Sequence, residues 1–367
     1  GGAHDSRAAF MNVATITIAY LRARALATTL NVLLLTLGVA TITVLLLATR
    51  QLEDRMMRDA QGIDLVVGAK GSPLQIILSS IYQLDVPTGN IPHAALAALT
   101  KHRAVKQVIP LALGDSYRGF RIVGTTQDYL ALYRASVVSG SSFAKPLEAV
   151  LGADVAAATG LGVGATFAGS HGLAQGGDDH DGEPYRVVGI LSRTGTVVDR
   201  VVVTGVESVW AVHSEHHGTE VAGQETAHEG AREEEGEFTA LLVRYASPLG
   251  AALVPRYVNA GSQLQAASPA YETARLFGIV GIGVDVLKAF ALVLIAAAGL
   301  SVFIGLYNAL EERRYDLAVM RTLGASRGRV MGLMLVEGTL LALAGGLLGL
   351  AVGHAATEAL GAALAAA

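Results

Sequence analysis

The sequence contains no cysteine and few charged residues, and each shortage excludes a class of protein. Without cysteine the chain can form no disulfide and no cysteine-ligated zinc or iron–sulfur site. Charged residues make up 16% of the 367 residues, against about 25% in an ordinary soluble domain. A net charge of −4, without a long run of basic residues, gives no support for a nucleic-acid partner. Hydrophobic residues, at 52%, favour a membrane protein.

Three apolar stretches are long enough to cross a membrane, namely residues 25–49, 289–310 and 330–353. A helix rises about 1.5 Å per residue, so each stretch can span a hydrocarbon core of about 30 Å. The first is too long for the apolar part of a signal peptide, which has roughly 7–15 residues. We therefore predict three transmembrane helices, with a cytoplasmic or amphipathic segment at 1–24 before the first.

The arginines between the second and third stretches orient the protein. Residues 311–329 contain five arginines, and short arginine-rich loops remain in the cytoplasm. This places the N-terminus inside the cell and residues 50–276 outside it. The second span is expected to extend outward as a stalk, so that stalk and span together cover 277–310. Residues 354–367 form an incomplete end, and we expect a fourth span after them.

The segment 50–276 alternates stretches typical of strands with stretches typical of helices. That alternation indicates α+β layers. The predicted fold is therefore an α-helical transmembrane bundle with a large α+β extracytoplasmic domain inserted between spans 1 and 2. Gly114–Ser116 is predicted to be a hairpin loop. Strands are predicted at 63–67, 105–111, 119–124, 149–152, 165–168, 185–191, 197–204 and 238–245, and helices at 73–83, 127–134, 154–159, 206–212 and 248–258.

Two loops in this domain are rich in histidine and acidic residues. Imidazole and carboxylate groups are ligands of Zn²⁺, so a zinc site is one interpretation and a solvated polar loop is the other. No fixed spacing such as His-Glu-x-x-His supports the first. The candidate ligands are His171 and His180 in the loop 169–183, and His213, His216, His217 and His228 in the loop 213–237.

The chain shows no nucleotide-binding signature, and we predict that it is not an enzyme. Residues 68–72 (GAKGS) do not have the Gly-x-x-x-x-Gly-Lys-Ser/Thr order of a phosphate-binding loop. If the protein uses ATP, another subunit must bind the nucleotide. Apart from the zinc considered above, this chain is predicted to bind no cofactor of its own.

The loop 311–329 has the pattern of a short amphipathic helix. Leu317, Met320 and Leu323 recur at helical spacing, and Gly324 ends the pattern. A charged, half-apolar helix of this kind suits docking into a groove of a soluble cytoplasmic partner. The candidate coupling residues are Glu312, Arg313, Arg314, Asp316, Leu317, Met320, Arg321, Leu323 and Gly324.

The third span carries one ionisable residue, Glu337. A carboxylate at membrane depth costs about 3 kcal/mol on insertion scales, which makes it a functional candidate. The alternative is that Glu337 lies near the headgroups and pairs with Arg327 or Arg329 at the inner face.

A row of glycines follows on the same span. Gly345, Gly349 and Gly353 form two overlapping G-x-x-x-G units, and Gly346 widens the smooth face. Small residues at this spacing let a second helix approach closely. We therefore predict that this face packs against a neighbouring transmembrane helix.

Residues 310–353 resemble the FtsX-like permease domain of the MacB and LolCDE group of ABC transporters. The shared pattern is a charged Glu-Arg pair, a short coupling helix, Arg-x-Leu-Gly-Ala, and a span with Glu followed by Gly-Gly-x-x-Gly. A weaker resemblance to the family's periplasmic domain covers 108–124, 150–152 and 185–190. The histidine-rich insertion and the missing fourth span depart from the family pattern. The matching positions are Glu312, Arg313, Arg321, Leu323, Gly324, Ala325, Glu337, Gly345, Gly346 and Gly349.

This resemblance implies a permease subunit that couples ATP hydrolysis by a partner ATPase to motion of its periplasmic domain. The implied cargo is a lipoprotein, a peptide or a hydrophobic small molecule, and the implied location is the bacterial inner membrane. The implied partners are a cytoplasmic ABC ATPase dimer that holds ATP and Mg²⁺, a second permease copy of the same or a related kind, membrane lipid, and a periplasmic adaptor or substrate protein.

Two alternative functions are compatible with the sequence. An FtsX-like transmembrane lever would activate a periplasmic cell-wall hydrolase and would show no cargo-stimulated ATPase activity. A zinc-responsive membrane receptor or transport component would use the histidine-rich loops, and deletion of residues 213–237 would then abolish the response to metal.

Overall fold

The computed structural model describes residues 22, 25–171, 184–212, 236–261, 263–312, 315, 318–319, 322 and 327–366. The chain divides into two compact units. One unit, Glu53–Gly278, is built around a β-sheet. The other, Gly1–Leu52 with Ile279–Ala367, contains the apolar parts of three long helices.

The helices of the described chain are α1 (Ala25–Asp59), α2 (Pro73–Ser80), α3 (His93–Thr100), α4 (Gln127–Leu132), α5 (Ala153–Thr159), α6 (Gly250–Gly261), α7 (Pro269–Glu312) and α8 (Arg327–Ala366). Residues 206–212 are also helical. The strands are β1 (Leu65–Ala69), β2 (Val105–Tyr117), β3 (Phe120–Thr125), β4 (Val137–Gly140), β5 (Glu148–Leu151), β6 (Thr166–Phe167), β7 (Ser170–His171), β8 (Tyr185–Leu191), β9 (Val201–Gly205), β10 (Ala240–Tyr245) and β11 (Leu264–Ala267).

The strands of the sheet unit form one mixed sheet. Within the described residues the strand order is β11-β1-β10-β2-β3-β9-β5-β8-β4, with β6 pairing to β8 and β7 to β2. Neighbouring strands are antiparallel except for the pairs β3–β9 and β5–β8, which are parallel. A mixed sheet packed against helices confirms the α+β class predicted for this domain.

The sheet is buried on both faces, and its composition explains this. All residues of β9 are buried, from Val201 to Gly205. Successive side chains of a strand point to opposite faces, so Val201 and Val203 belong to one apolar core and Val202 belongs to another. A run of β-branched residues without alternation therefore suits a strand that is covered on both sides.

Short helices cover the two faces. Ile76 of α2 and Tyr129 of α4 are buried in the core that contains Val201. Leu99 of α3 and Val254 of α6 are buried in a second core. Each fully buried side chain of this kind contributes about 1.5–3 kcal/mol relative to exposure, so these helices are fixed to the sheet mainly by apolar burial.

The predicted hairpin between two successive strands is confirmed by the antiparallel pairing of β2 with β3, but the position of its loop, Gly114–Ser116, is wrong. Strand β2 continues through these residues to Tyr117, and its pairing with β3 shifts between Leu113 and Ser116. A β-bulge therefore accommodates the extra residue without ending the strand. The chain turns instead at Arg118 and Gly119, where φ is 50° and 83°, as in a tight two-residue hairpin.

The predicted strand 197–204 begins later than expected. Val197–Arg200 form a 3₁₀ turn, and β9 starts at Val201. A tertiary hydrogen bond stabilises this turn, since the Val197 N–H donates to the carboxylate of Asp59 at 2.6 Å. The sequence predictions also missed four short elements, namely α3, β4, β7 and β11.

Three helices in the described residues are long and apolar enough to cross a membrane. Their candidate spans lie within Ala25–Asp59, Pro269–Gly305 and Leu335–Ala363, which confirms the three predicted transmembrane helices. Helix α1 continues past its predicted span to Asp59, and α7 begins at Pro269, ahead of the predicted stalk.

Candidate functional site

Three glycines of α8 lie directly against α1 in the helical unit. A Cβ atom added to Gly345 would lie 2.8 Å from Leu35 Cδ2. A Cβ on Gly349 would lie 2.6 Å from Val39 Cβ, and one on Gly353 would lie 2.6 Å from Thr43 Cβ. These distances are well below the 3.5–4.0 Å of an ordinary carbon contact. Helices α1 and α8 therefore approach each other at a distance that only glycine permits.

The fourth glycine of the predicted face is different. A Cβ on Gly346 would meet no atom within 4 Å. It follows Gly345 by one position, and adjacent residues on a helix point in different directions. Gly346 therefore lies on the helix but outside the seam with α1.

Polar side chains add two contacts between the apolar helices. The Thr36 hydroxyl of α1 donates to the Gly345 carbonyl of α8 at 3.3 Å. The Ser301 hydroxyl of α7 donates to Asn31 Oδ1 of α1 at 2.6 Å. In an apolar environment such bonds hold helices in register and contribute roughly 0.6 kcal/mol each. Helix α1 is thus bonded to both α7 and α8.

The carboxylate of the third span is buried within the helical unit. The Glu337 side chain is 7% exposed. The side chains of Arg327 and Arg329, its alternative partners, lie outside the described residues. A functional role for Glu337 stays a prediction.

Most of the predicted coupling loop lies outside the described residues. Glu312 is the last residue of α7, and its side chain is not described. The other predicted coupling residues, all outside the described ranges, are Arg313, Arg314, Asp316, Leu317, Met320, Arg321, Leu323 and Gly324.

The predicted zinc ligands also fall mainly outside the described residues. His171 is in β7, whose backbone pairs with β2. In the described part of the chain no group of three or more His, Cys, Asp or Glu residues is arranged to hold a metal ion. The zinc hypothesis stays a prediction for His180, His213, His216, His217 and His228, which lie outside the described ranges.

Asp59, the last residue of α1, is bonded into the core of the sheet unit. Its side chain is 2% exposed; Oδ1 accepts the Val197 N–H at 2.6 Å, and Oδ2 lies 3.5 Å from Arg200 Nη2. The Tyr133 hydroxyl donates to the Asp59 carbonyl at 2.8 Å. Burial lowers the pKa of Arg200 and raises that of Tyr133 well above its usual range. The end of α1 is therefore held by both charge and backbone hydrogen bonds.

Tyr82 bonds the end of α1 to the start of α7. Its buried hydroxyl lies 2.8 Å from Thr273 Oγ1 and donates to the Met56 carbonyl at 3.4 Å. Burial raises the pKa of Tyr82, so the phenol stays protonated at neutral pH. Phe277 of α7 also packs against the core that contains Met56. The two long helices are thus joined to each other and to the sheet within the sheet unit.

Asp59, Tyr82 and Thr273 are not among the residues predicted from the sequence. One signal was present for Asp59. An acidic residue in the last turn of a helix is opposed by the helix dipole, so its presence indicates a compensating partner elsewhere. No local signal indicates the contact between Tyr82 and Thr273, because their proximity arises from tertiary packing.

Two family models match this chain. The FtsX-like permease C-terminal model matches residues 288–366, and the MacB-like periplasmic core domain model matches residues 28–235, more than half of the chain. The chain is an FtsX/MacB-like permease of the ABC transporter family. The part of α7 from residue 288 onward, α8 and the loop between them thus fall in the permease region. The sheet unit carries most of the periplasmic core match. Together with the three candidate membrane spans, this match makes the chain a bacterial membrane protein.

Two solved structures are similar to parts of this permease. The periplasmic region of MacB from Actinobacillus actinomycetemcomitans has 10% identity and a TM-score of 0.37, covering 60% of this chain and 97% of that one. The extracellular domain of the noncanonical ABC-type transporter YknZ from Gram-positive bacteria has 14% identity and a TM-score of 0.33, covering 56% and 99%. The comparison with curated proteins gave no match.

Proposed function

We propose that this permease transmits force from a cytoplasmic ATPase to its own extracytoplasmic domain. The observation that carries the proposal is the continuity of α1 and α7. Each is one unbroken helix that includes a candidate membrane span and has one end fixed within the sheet unit. A continuous helix cannot shift at one end without displacing or bending the rest.

The lengths of these helices fit such a role. Helix α1 has 35 residues and α7 has 44, which correspond to roughly 50 and 65 Å of helix. A hydrocarbon core takes about 30 Å of each. The remainder is enough to carry a displacement beyond the membrane to residues such as Asp59 and Thr273.

The force enters, in this proposal, through residues 311–329. Their arginines, together with Leu317 and Met320, form the cytoplasmic surface that docks into an ABC ATPase. Permeases of this family work with ABC ATPase partners. ATP and Mg²⁺ are bound by the partner ATPase dimer, and this chain pairs with a second permease copy in the bacterial inner membrane.

The cargo is proposed to be a lipoprotein, a peptide or a hydrophobic small molecule handled on the periplasmic side, with an adaptor or the substrate protein as a further partner. The support is the near absence of ionisable residues in the spans. Residues 25–49 and 289–310 contain no Asp, Glu, Lys, Arg or His, and Glu337 is the only one of these in 330–353. A hydrophilic route through the membrane requires more polar groups than this.

Charge reversal at Arg321 tests the docking surface. The full chain is immobilised on an affinity column, and the ABC ATPase of its host that binds to it there is identified. The two proteins are then co-expressed. We expect Arg321→Glu or Leu317→Asp to abolish retention of the ATPase, because each removes a contact of the docking helix. The control is Arg103→Glu, at an exposed position of the sheet unit, which should leave retention intact. Retention of the ATPase by both loop variants would contradict the proposal.

A second readout separates transport from hydrolase activation. If the protein moves cargo, addition of a lipoprotein or a hydrophobic peptide raises the ATPase rate of the reconstituted complex. An ATPase rate that responds only to a periplasmic cell-wall hydrolase would favour the lever function instead.

A further inference from the structure

Four arginines line one cavity in the sheet unit. The cavity has a volume of about 540 Å³, and its arginines are Arg58, Arg134, Arg193 and Arg244. Asp128 is the single acidic residue among the lining side chains, all of which belong to the described chain. The cavity therefore carries a clear excess of positive charge.

These arginines come from four separate places in the fold. Arg58 is near the end of α1, Arg134 follows α4, Arg193 follows β8, and Arg244 is in β10. A solvated helix face would place its charges three or four positions apart on one element. The positive charge of this cavity arises instead from tertiary structure.

The arginines retain capacity for a ligand. Arg193 pairs with Asp154 at 2.6 Å. Arg58 Nε donates to the Gly195 carbonyl and Arg244 Nη1 donates to Gln107 Oε1, both at 3.5 Å. Among the described residues, no carboxylate forms a salt bridge with Arg58, Arg134 or Arg244. Since a guanidinium has five N–H donors, these three groups have donors free for an anion.

One wall of the cavity is a loop that is already fixed. The buried carboxylate of Asp199 accepts the N–H groups of Thr194 and Gly195 at 2.8 and 2.7 Å. The Ser192 N–H donates to the Ser136 carbonyl. Ser192, Thr194 and Thr196 of this loop line the cavity beside the arginines. A ligand would therefore meet a preorganised wall, which reduces the entropy lost on binding.

The backbone conformation of Arg134 also indicates a ligand site. Its φ is 54°, in the left-handed region that a residue with a side chain rarely adopts. The Arg134 N–H donates to the Ala131 carbonyl, which closes the turn after α4. Unusual conformations of this kind are concentrated at ligand sites, and here the conformation belongs to one of the cavity arginines.

We propose that this arginine cavity binds a phosphate group. Phosphate offers several acceptor oxygens and up to two negative charges, which matches three available guanidinium groups and nearby hydroxyls. The phosphate can belong to a lipid headgroup or to a soluble phosphate compound, and the chemistry of recognition is the same. The site is independent of the proposed coupling to an ATPase, since none of its residues is in the cytoplasmic loop.

The test uses the full chain purified in an uncharged detergent without phosphate. Inorganic phosphate and glycerol phosphate are titrated by calorimetry in one arm. In the other arm, phosphatidylglycerol is added to the micelles, and bound lipid is counted by native mass spectrometry. The variants are Arg134→Gln and Arg244→Gln, and the control is Arg256→Gln, an exposed position of α6 outside the cavity that loses the same charge.

Loss of one charged hydrogen-bonding group is expected to weaken binding on the order of tenfold or more. Binding of soluble phosphate that is lost in both cavity variants but kept in Arg256→Gln would support the site and assign a soluble ligand. Lipid retention with the same pattern would support it and assign a headgroup. No binding in either arm, or equal weakening in Arg256→Gln, would overturn the proposal. Circular dichroism of each variant verifies that the fold is kept.

Discussion

Substitution of Gly349 by alanine tests whether the seam between α1 and α8 depends on the absence of a side chain. The added Cβ would lie 2.6 Å from Val39 Cβ and 2.9 Å from the Thr36 carbonyl oxygen. Both atoms belong to α1, and one of them is backbone, so rotation of a side chain cannot relieve the clash. The helices must separate by roughly 1 Å to restore an ordinary contact of about 3.5 Å.

The expected change in the free energy of unfolding follows from two opposing effects. Overpacking a tight interface costs about 1–3 kcal/mol, whereas replacing glycine by alanine inside a helix gains about 1 kcal/mol of helix propensity. The matched control is Gly346→Ala, which gains the same propensity and meets no atom within 4 Å. The difference between the changes in unfolding free energy of Gly349→Ala and Gly346→Ala cancels the gain in helix propensity. It leaves about 1–3 kcal/mol for the contact with α1.

The assay is reversible unfolding of the helical unit in mixed micelles of dodecyl maltoside and dodecyl sulfate, followed by the helical circular dichroism signal. We expect Gly349→Ala to unfold at a lower dodecyl sulfate fraction than the wild type, and Gly346→Ala to unfold at an equal or higher one. Equal behaviour of the two variants would refute the reasoning, because the seam would then tolerate a side chain.

Four further substitutions test the anchoring of the helices and the membrane carboxylate. Asp59→Ala should lower the stability of the sheet unit by about 1–3 kcal/mol, since it leaves the buried Val197 N–H without an acceptor and the partly exposed Arg200 without its carboxylate partner; urea unfolding checks this against the exposed Asp54→Ala, which should have little effect. Tyr82→Phe and Thr273→Val, combined in a double-mutant cycle, should give a coupling energy of about 1 kcal/mol, and additive effects would show that their hydroxyls do not bond. Glu337→Gln should lower the ATPase-driven activity of the assembled complex without loss of the partner, and full activity would assign Glu337 to packing.

The parts of the fold that the sequence predicts are those determined by local pattern. The strand predicted at 185–191 has the same limits as β8, because a stretch rich in Tyr, Val, Ile and Leu is bounded by Pro184 on one side and by the polar and turn-forming residues 192–195 on the other. The three spans follow from length and hydropathy alone. The glycine spacing of α8 predicts a tightly packed face, but it contains no information about which helix packs there.

The parts that the sequence could not predict depend on contacts between distant residues. The 3₁₀ turn before β9 is stabilised by the bond from the Val197 N–H to Asp59, 138 positions away. The arginine cavity is likewise assembled from four elements, and its arginines are unremarkable at their own positions in the sequence. Such sites emerge only when the sheet brings these residues together.

The most direct test of force transmission from the cytoplasm is the sidedness of the loop between α7 and α8. Because the chain has no cysteine, single cysteines can be introduced in the full chain at Ser326, in this loop, and at Ser141, exposed in the sheet unit. A membrane-impermeant maleimide is then applied to spheroplasts before and after lysis. The account predicts that Ser141→Cys is labelled in intact spheroplasts and Ser326→Cys only after lysis. Labelling of Ser326→Cys in intact spheroplasts would contradict the proposed orientation, since no cytoplasmic ATPase could then bind the loop.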